Sequence, residues 1–329
     1  MEYGLYFLQF DTPVHFGGGE NGEGLAQGSL TYRSDTLFSA VCSELALSGQ
    51  LSQIERLYAL CSQANLLLSD LFPYTQEEGE EPFLFLPKPL LPEKLPHHTG
   101  ISYNQYISLL DQDKQLHQLR YVRASELDDY VSYICGDQDS FSGELYELEL
   151  GRGQVRTRVN HSEETPVPYY VYEFTFKENA GLYGILGYEE EKDRDAFLQI
   201  LSLLGLNGIG GKRSSGYGKF HFWQDPEIYT DKIKLSTHLN KKKAAQYMAI
   251  SSVLPASQDT GIVKKGQYRG QKRSGFITPE DNSLHKRKNV YMLEAGSCFP
   301  EKIQGRIVDI SIHDQHPVWR NGKGIYVGL

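Results

Sequence analysis

The chain has 329 residues with a formal net charge of −9, 40% hydrophobic and 23% charged residues. The sequence pI is about 5.6 and the mean hydropathy −0.45. That length favours two domains, and no apolar run approaches the roughly 20 residues of a membrane span. The N-terminus lacks a basic region, a long apolar stretch and a small-residue cleavage site, so a cytoplasmic protein is expected, without a membrane partner. Four dispersed cysteines, Cys42, Cys61, Cys135 and Cys298, exclude a CxxC zinc ribbon and fit reduced thiols.

In chain order, residues 3–10 (YGLYFLQF) read as a buried strand, followed by a loop with five glycines that contains His15, Phe16, Gly17 and Gly18. Leu37, Val41 and Leu45 recur at helical spacing after Ser34, which suits an N-cap, and Asp35, which suits the positive end of a helix. A second helical pattern covers about 51–68. Prolines crowd the stretch that follows, so 73–165 is expected to be an insertion with its own irregular fold. Strands are expected at Tyr169–Lys177 and Gly181–Tyr188, a helix at 192–204, and a strand at FHFW. The resulting order, βαββαβ, is that of a ferredoxin-like unit over residues 1–223. Polar residues 224–245 read as a linker. The tail, 246–329, reads as a second, degraded β-rich half with strands near 246–253, 289–294, 306–312 and 324–328.

The acidic balance counts against a free-standing nucleic-acid binder, yet the charge is unevenly spread. Arg152, Arg156 and Arg158 precede any acid up to Glu163; Lys212, Arg213 and Lys219 lie in an acid-free run at 205–220. Lys264, Lys265, Arg269, Lys272 and Arg273 lie in another, and Lys286, Arg287 and Lys288 are consecutive. Any one such run is ordinarily a solvated loop; four together suggest a basic track beside an acidic remainder.

The glycine-rich run 205–218 fits neither a P-loop nor a dinucleotide fingerprint, since it leaves a helix to enter a strand. Its backbone amides, with Lys212, Arg213, Ser214 and Ser215, are expected to form a phosphate-binding concavity; the bland alternative is a long turn. His15 could serve as a general base in RNA cleavage, but no partner stands at a helpful spacing, and a structural role is preferred. His313 and His316 do not complete a metal set. No metal, cofactor or catalytic constellation is expected.

His15-Phe16-Gly17, the helix start Ser34–Ala40 and the run Gly208–Phe220 together resemble the RAMP superfamily of CRISPR proteins. Tyr268-Arg269, Lys272–Phe276, Lys286–Lys288, Gly296–Phe299 and His316–Lys323 are similar to the subunit-four family of type III-A (Csm) effector complexes. The resemblance implies an α+β fold of two ferredoxin-like, RRM-related domains, with 73–165 as a thumb-like insertion in the first. It implies a non-catalytic subunit, one copy per ribonucleoprotein complex, that holds the 5′ handle of the crRNA in antiviral defence. Its partners would be the crRNA, the large polymerase-like subunit and the backbone RAMP subunits. The RNA-facing residues so implied are His15, Phe16, Gly17, Gly18, Ser34, Thr36, Arg156, Arg158, Gly208, Gly210, Gly211, Lys212, Arg213, Ser214, Ser215, Gly216, Tyr217, Arg269, Lys272, Arg273, Lys286, Arg287 and Arg320. An RNA-processing endonuclease using His15, the equivalent type III-B subunit and a nucleotide-binding enzyme remain as alternatives.

Overall fold

The computed structural model describes residues 1–17, 30–94, 102–143, 148–160, 167–224, 229–277, 285–312 and 317–329. The first half runs β1 (Glu2–Phe10), α1 (Ser34–Leu47), α2 (Leu51–Ser62), β2 (Leu66–Leu68), β3 (Phe72–Thr75), β4 (Phe83–Pro87), α3 (Tyr103–Gln118), β5 (Tyr121–Arg123), α4 (Leu127–Ile134), β6 (Gly151–Asn160), β7 (Val167–Phe176), β8 (Ala180–Tyr188), α5 (Glu191–Asn207) and β9 (Phe220–Trp223). The second half runs α6 (Thr230–Asn240), β10 (Tyr247–Ala249), α7 (Thr260–Val263), β11 (Gly270–Arg273), β12 (Phe276–Ile277), β13 (His285–Lys286), β14 (Val290–Leu293), β15 (Cys298–Phe299), β16 (Ile307–Asp309), β17 (Trp319–Asn321) and β18 (Tyr326–Gly328). The fold is mixed α+β with antiparallel sheets.

One sheet organises the molecule, in the order β5-β4-β3-β8-β1-β9, with β2 also pairing β8. β1 is central and apolar on both faces, as a continuous hydrophobic run demands. Tyr6 and Leu8 enter one core with Leu37, Phe38 and Val41 of α1 and Phe197, Leu201 and Leu204 of α5. Phe7 enters the opposite core with Leu235 of α6, Met248, Ile250 and Val327. Each fully buried side chain of this size contributes about 1.5–3 kcal/mol relative to exposure. Helices thus cover one face and the second half of the chain packs on the other. Gly184, opposite Tyr6 in register, leaves room for that ring: a Cβ there would lie 2.2 Å from it.

β2 and β3 run along β8 as one interrupted strand. Leu68 pairs Leu186 and Phe72 pairs Tyr183, so three residues oppose two and the line bulges at Ser69–Leu71. There the two halves join: the Asp70 N–H donates to the Ile250 carbonyl at 2.9 Å, and the Ser251 hydroxyl to the Leu68 carbonyl at 2.7 Å.

Several expectations change. The second helical pattern ends at Ser62, and Leu66–Leu68 form a strand; Ala64, at φ 60°, makes the break. Ser34 is the first helical residue rather than the cap; its N–H is satisfied by Asp70 Oδ1 at 2.8 Å. The strand at Tyr169–Lys177 is not a member of the main sheet. It pairs with β6 over ten residues as a hairpin, and β2–β3 take the place beside β8. Residues 73–165 do not form a separate irregular unit, because β3, β4 and β5 extend the main sheet; Pro82 and Pro87 stand at the ends of β4, where a missing N–H is tolerated. The stretch 224–245 contains α6, whose Leu235 and Leu239 are buried, so it is packed structure rather than a linker.

Candidate nucleic-acid interface

Two groups of the expected residues come together. In the first, the glycine run after α5 folds back onto the segment that follows β1. Gly208, Gly210 and Gly218 have φ of 80°, 89° and 75°. A Cβ at Gly218 would lie 2.0 Å from the Ile209 carbonyl, and one at Gly210 2.7 Å from the His15 carbonyl. The Gly211 N–H donates to the His15 carbonyl at 2.8 Å. These glycines therefore serve close internal packing, not an open cradle. The part left open is Lys212–Gly216: Ser214 and Ser215 are exposed, and a Cβ on Gly216 would meet nothing within 4 Å.

The β6–β7 hairpin closes this corner. Arg158 donates to the Tyr217 hydroxyl at 2.7 Å, Tyr217 donates to Glu173, and the exposed Arg156 pairs with that same buried carboxylate. Burial would raise the pKa of Glu173, but these donors hold it below the usual range. The Lys212 ammonium lies 4.9 Å from the centre of the Tyr169 ring, within cation–π range. His15 is 4% exposed, and its Nδ1 meets the Tyr172 carbonyl at 2.7 Å. A carbonyl only accepts, so Nδ1 carries the proton. Phe16, whose ring is tilted against that of Tyr32 at 4.9 Å between centres, is buried with it. Gly17, with a Cβ position open within 4 Å, ends the described part of that loop; Gly18 lies outside the described residues.

The second group surrounds the start of α1. Asp35 is 0% exposed and receives Arg273 Nε at 3.0 Å, Arg273 Nη2 at 3.1 Å and Arg320 Nη1. Burial pushes the carboxyl up, Arg273 and Arg320 pull it down, and the pull prevails. Arg273 also donates to the Thr36 hydroxyl at 2.7 Å. Arg287 is half-buried beside these arginines; burial and the Arg320 charge lower its pKa, and its Nε has no hydrogen-bond partner. Two guanidiniums thus bind this carboxylate, and a third, Arg287, stands beside them. Tyr32 lies between the two groups: burial pushes its hydroxyl up to about 12, with the Arg213 charge acting from one group and Asp35 and Arg273 from the other.

Some expected residues have other work. Arg320 is 3% exposed and locked on Asp35, so it braces the junction rather than facing a ligand. Ser34, His15, Phe16, Gly208 and Tyr217 are buried in packing or hydrogen bonds. Arg269 and Lys272 lie on the exposed β11–β14 ribbon, and the Lys286 side chain and His313–His316 fall outside the described residues. Asp70, Tyr32 and Glu173 were not singled out from sequence. Asp70 accepts N–H groups from Ser34 and Ser252, each at 2.8 Å, and the Ser252 hydroxyl at 3.1 Å. A cleft of about 600 Å³ between the halves is lined by Arg33, Lys88, Arg120, Arg269, Asp70 and Glu294 among others. Among the described residues no group of three or more metal-ligating side chains occurs, and no helix is long and apolar enough to cross a membrane.

An antiparallel sheet covered by two helices, with a glycine loop clamped behind its second helix, defines the class. A model of the RAMP superfamily matches residues 7–221, and the chain belongs to that superfamily. Within it the likeness is to Csm4: residues 242–329 match the CRISPR Csm4 C-terminal domain. The CRISPR system Cms protein Csm4 of Streptococcus thermophilus is 28% identical over 333 residues, covering 100% of this chain and 99% of that one. The protein of the same name from Mycobacterium tuberculosis (strain CDC 1551 / Oshkosh) is 28% identical over 338 residues, covering 100% and 98%. Among solved structures, the Csm3–Csm4 subcomplex of the type III-A CRISPR-Cas interference complex matches with a TM-score of 0.61 at 15% identity, covering 100% and 99%. The Csm1–Csm4 cassette in complex with cA4 matches at 0.59 and 15%, covering 100% and 98%. At that identity the two structures establish a shared fold.

Proposed function

We propose that this chain is a non-catalytic subunit of a type III-A CRISPR effector complex that holds the 5′ handle of the crRNA and bridges the large polymerase-like subunit to the backbone subunits. The observation that carries the reading is the surplus of guanidinium around Asp35. Arg287 stands half-buried with an unpartnered Nε beside Arg273 and Arg320, and a phosphodiester would supply the missing anion. The open turn Lys212–Gly216 and the exposed Arg156 extend this corner, so a short single strand could be held by several phosphates. The structural relatives, a Csm3–Csm4 subcomplex and a Csm1–Csm4 cassette, support the two protein partners.

On the same reading the first half is a ferredoxin-like unit, residues 1–223, because β9, β1, β8 and β3 stand in the order fourth, first, third, second. The thumb-like insertion is the part of 73–165 that does not enter the main sheet, including β6, and 246–329 is the degraded counterpart. Absence of catalysis is supported by His15, whose ring is buried and committed to a backbone carbonyl. The test is purification of the chain from cells that carry the whole locus. A short co-purifying RNA with a constant 5′ end, together with several partner proteins, is the expected result. Recovery of the assembled proteins with the handle unprotected from nuclease would refute it.

A further inference from the structure

Strands β11 and β14, with β12 and β13 beyond them, form one hairpin arm. Arg273 pairs Val290 and Phe276 pairs Lys286, a one-residue offset that places the bulge at Arg287–Asn289. The arm is rooted by Met292 and Leu293, both buried. Arg273 turns back toward Asp35, so that part of the arm is spent on the junction between the halves.

The part just beyond the root is different. Tyr291 is 69% exposed, and Lys272, also exposed, lies directly across from it. Cross-strand neighbours have Cβ atoms about 4.5–5.5 Å apart, so ring and ammonium share one face. Two residues along from Lys272, Gly270 leaves the backbone bare, with nothing within 4 Å of a Cβ position. Two further on, Tyr268 is 48% exposed, its ring near-parallel to Phe299 at 6.4 Å between centres. Arg269 beside it is largely exposed and reaches Glu294 only at 3.9 Å. No acid occurs in residues 260–279. A tyrosine this exposed on a two-stranded ribbon adds little to the fold. Two such rings separated by an open glycine, with the exposed Lys272 directly across from Tyr291 and the largely exposed Arg269 beside Tyr268, suit a polyanion with flat bases.

We propose that Tyr291, with Tyr268, forms a base-stacking platform for single-stranded RNA, and that Lys272 and Arg269 neutralise the phosphates alongside. The inference rests on the RNA-holding reading and adds to it the residues that touch bases. The probe is a short fluorescein-labelled single-stranded RNA of the CRISPR repeat sequence, followed by anisotropy with the full chain and with the reconstituted complex. Tyr291→Ala should weaken binding roughly five- to a hundred-fold, the range for loss of one stacked base, without changing the salt slope. Lys272→Ala should reduce that slope by about 0.7. Tyr291→Trp should keep the affinity, and its new indole emission should be quenched by RNA. An RNA with abasic positions should bind the wild type and Tyr291→Ala equally.

If the wild type binds this RNA and Tyr291→Ala binds it as well, the platform is refuted while the RNA-holding reading stands. If the wild type binds no RNA alone or in the complex, that reading falls, and the platform with it. If Tyr291→Ala leaves RNA binding intact but loses a partner subunit from the reconstituted complex, the surface is a protein contact and the proposal is wrong.

Discussion

Replacing Asp35 by asparagine keeps the shape of the side chain and removes its charge. Arg320, 3% exposed, would then be buried beside Arg273 and Arg287 with no carboxylate among them. Breaking a buried pair from one side costs about 3–5 kcal/mol, because the remaining charge is uncompensated. With an m-value near 3 kcal/mol per M urea, the unfolding midpoint should fall by roughly 1–1.7 M. The double variant D35N/R320M should recover only part of the loss, since it removes the most deeply buried guanidinium but leaves Arg273 charged without its carboxylate. The pH profile adds a signature. The pKa of Asp35 is held below its ordinary 3.8 by Arg273 and Arg320, despite burial acting the other way. A depressed folded-state pKa gives stability that is fully present above 3.8 and lost as pH falls through the folded value. The gap between wild type and D35N should therefore narrow below pH 3.8. A midpoint shift under about 0.3 M at neutral pH, or a gap that widens in acid, would refute the ion-cluster account.

Asp70 should behave in the opposite sense: burial raises its pKa against the Ser34 and Ser252 donors, so the chain is favoured as pH falls below that value, and D70N, measured by thermal melting, should cost only about 1 kcal/mol. Replacing Lys212 and Arg213 together with alanine should weaken RNA binding across sequences and lower the salt slope by about 1.4, and an unchanged slope in a folded variant would remove this turn from the interface. Gly218→Ala should destabilise far more than Gly216→Ala in urea unfolding, because both have positive φ but only Gly218 also faces a carbonyl at 2.0 Å. Incubated with repeat RNA, the wild type should leave it intact; cleavage that His15→Ala reduces by about 10²–10⁴-fold would make His15 a base after all.

The central strands and helices α1 and α5 were legible because their apolar positions repeat at the proper period: Tyr6, Phe7 and Leu8 for a strand buried on both faces, Leu37, Val41 and Leu45 for a helix. The β2–β3 line was not. Leu66–Leu68 continue the helical spacing of the preceding segment, and only the positive φ of Ala64 breaks it. Tyr169–Lys177 was correctly a strand and wrongly placed, because alternation reports a strand but not its neighbour. At the site, positive charge was readable and its use was not. Arg273 and Arg320 are separated from Asp35 by 238 and 285 residues, and an acid at a helix start looks the same whether it caps or pairs. Glu173 was hidden in an aromatic strand, and Asp70 in the short break between two apolar ones.

The bulge at Ser69–Leu71 has a consequence for the order in which the chain acquires structure during synthesis. The first turn of α1 is held by a carboxylate that lies 36 residues further on, and that carboxylate is itself held by Ser252, 182 residues beyond it. Arg273 and Arg320 reach the same turn still later. While the ribosome is still adding residues before 250, the helix start therefore lacks the groups that fix it from the far side. Contacts this distant in sequence bear their loop-closure entropy before they return any stability. The nascent first half must wait with one face of its sheet, Phe7, Tyr183 and Ile185 included, uncovered by α6 and β10. A pause in translation between Asp70 and Ser252 is thus the interval in which this chain is most exposed to proteases and to aggregation.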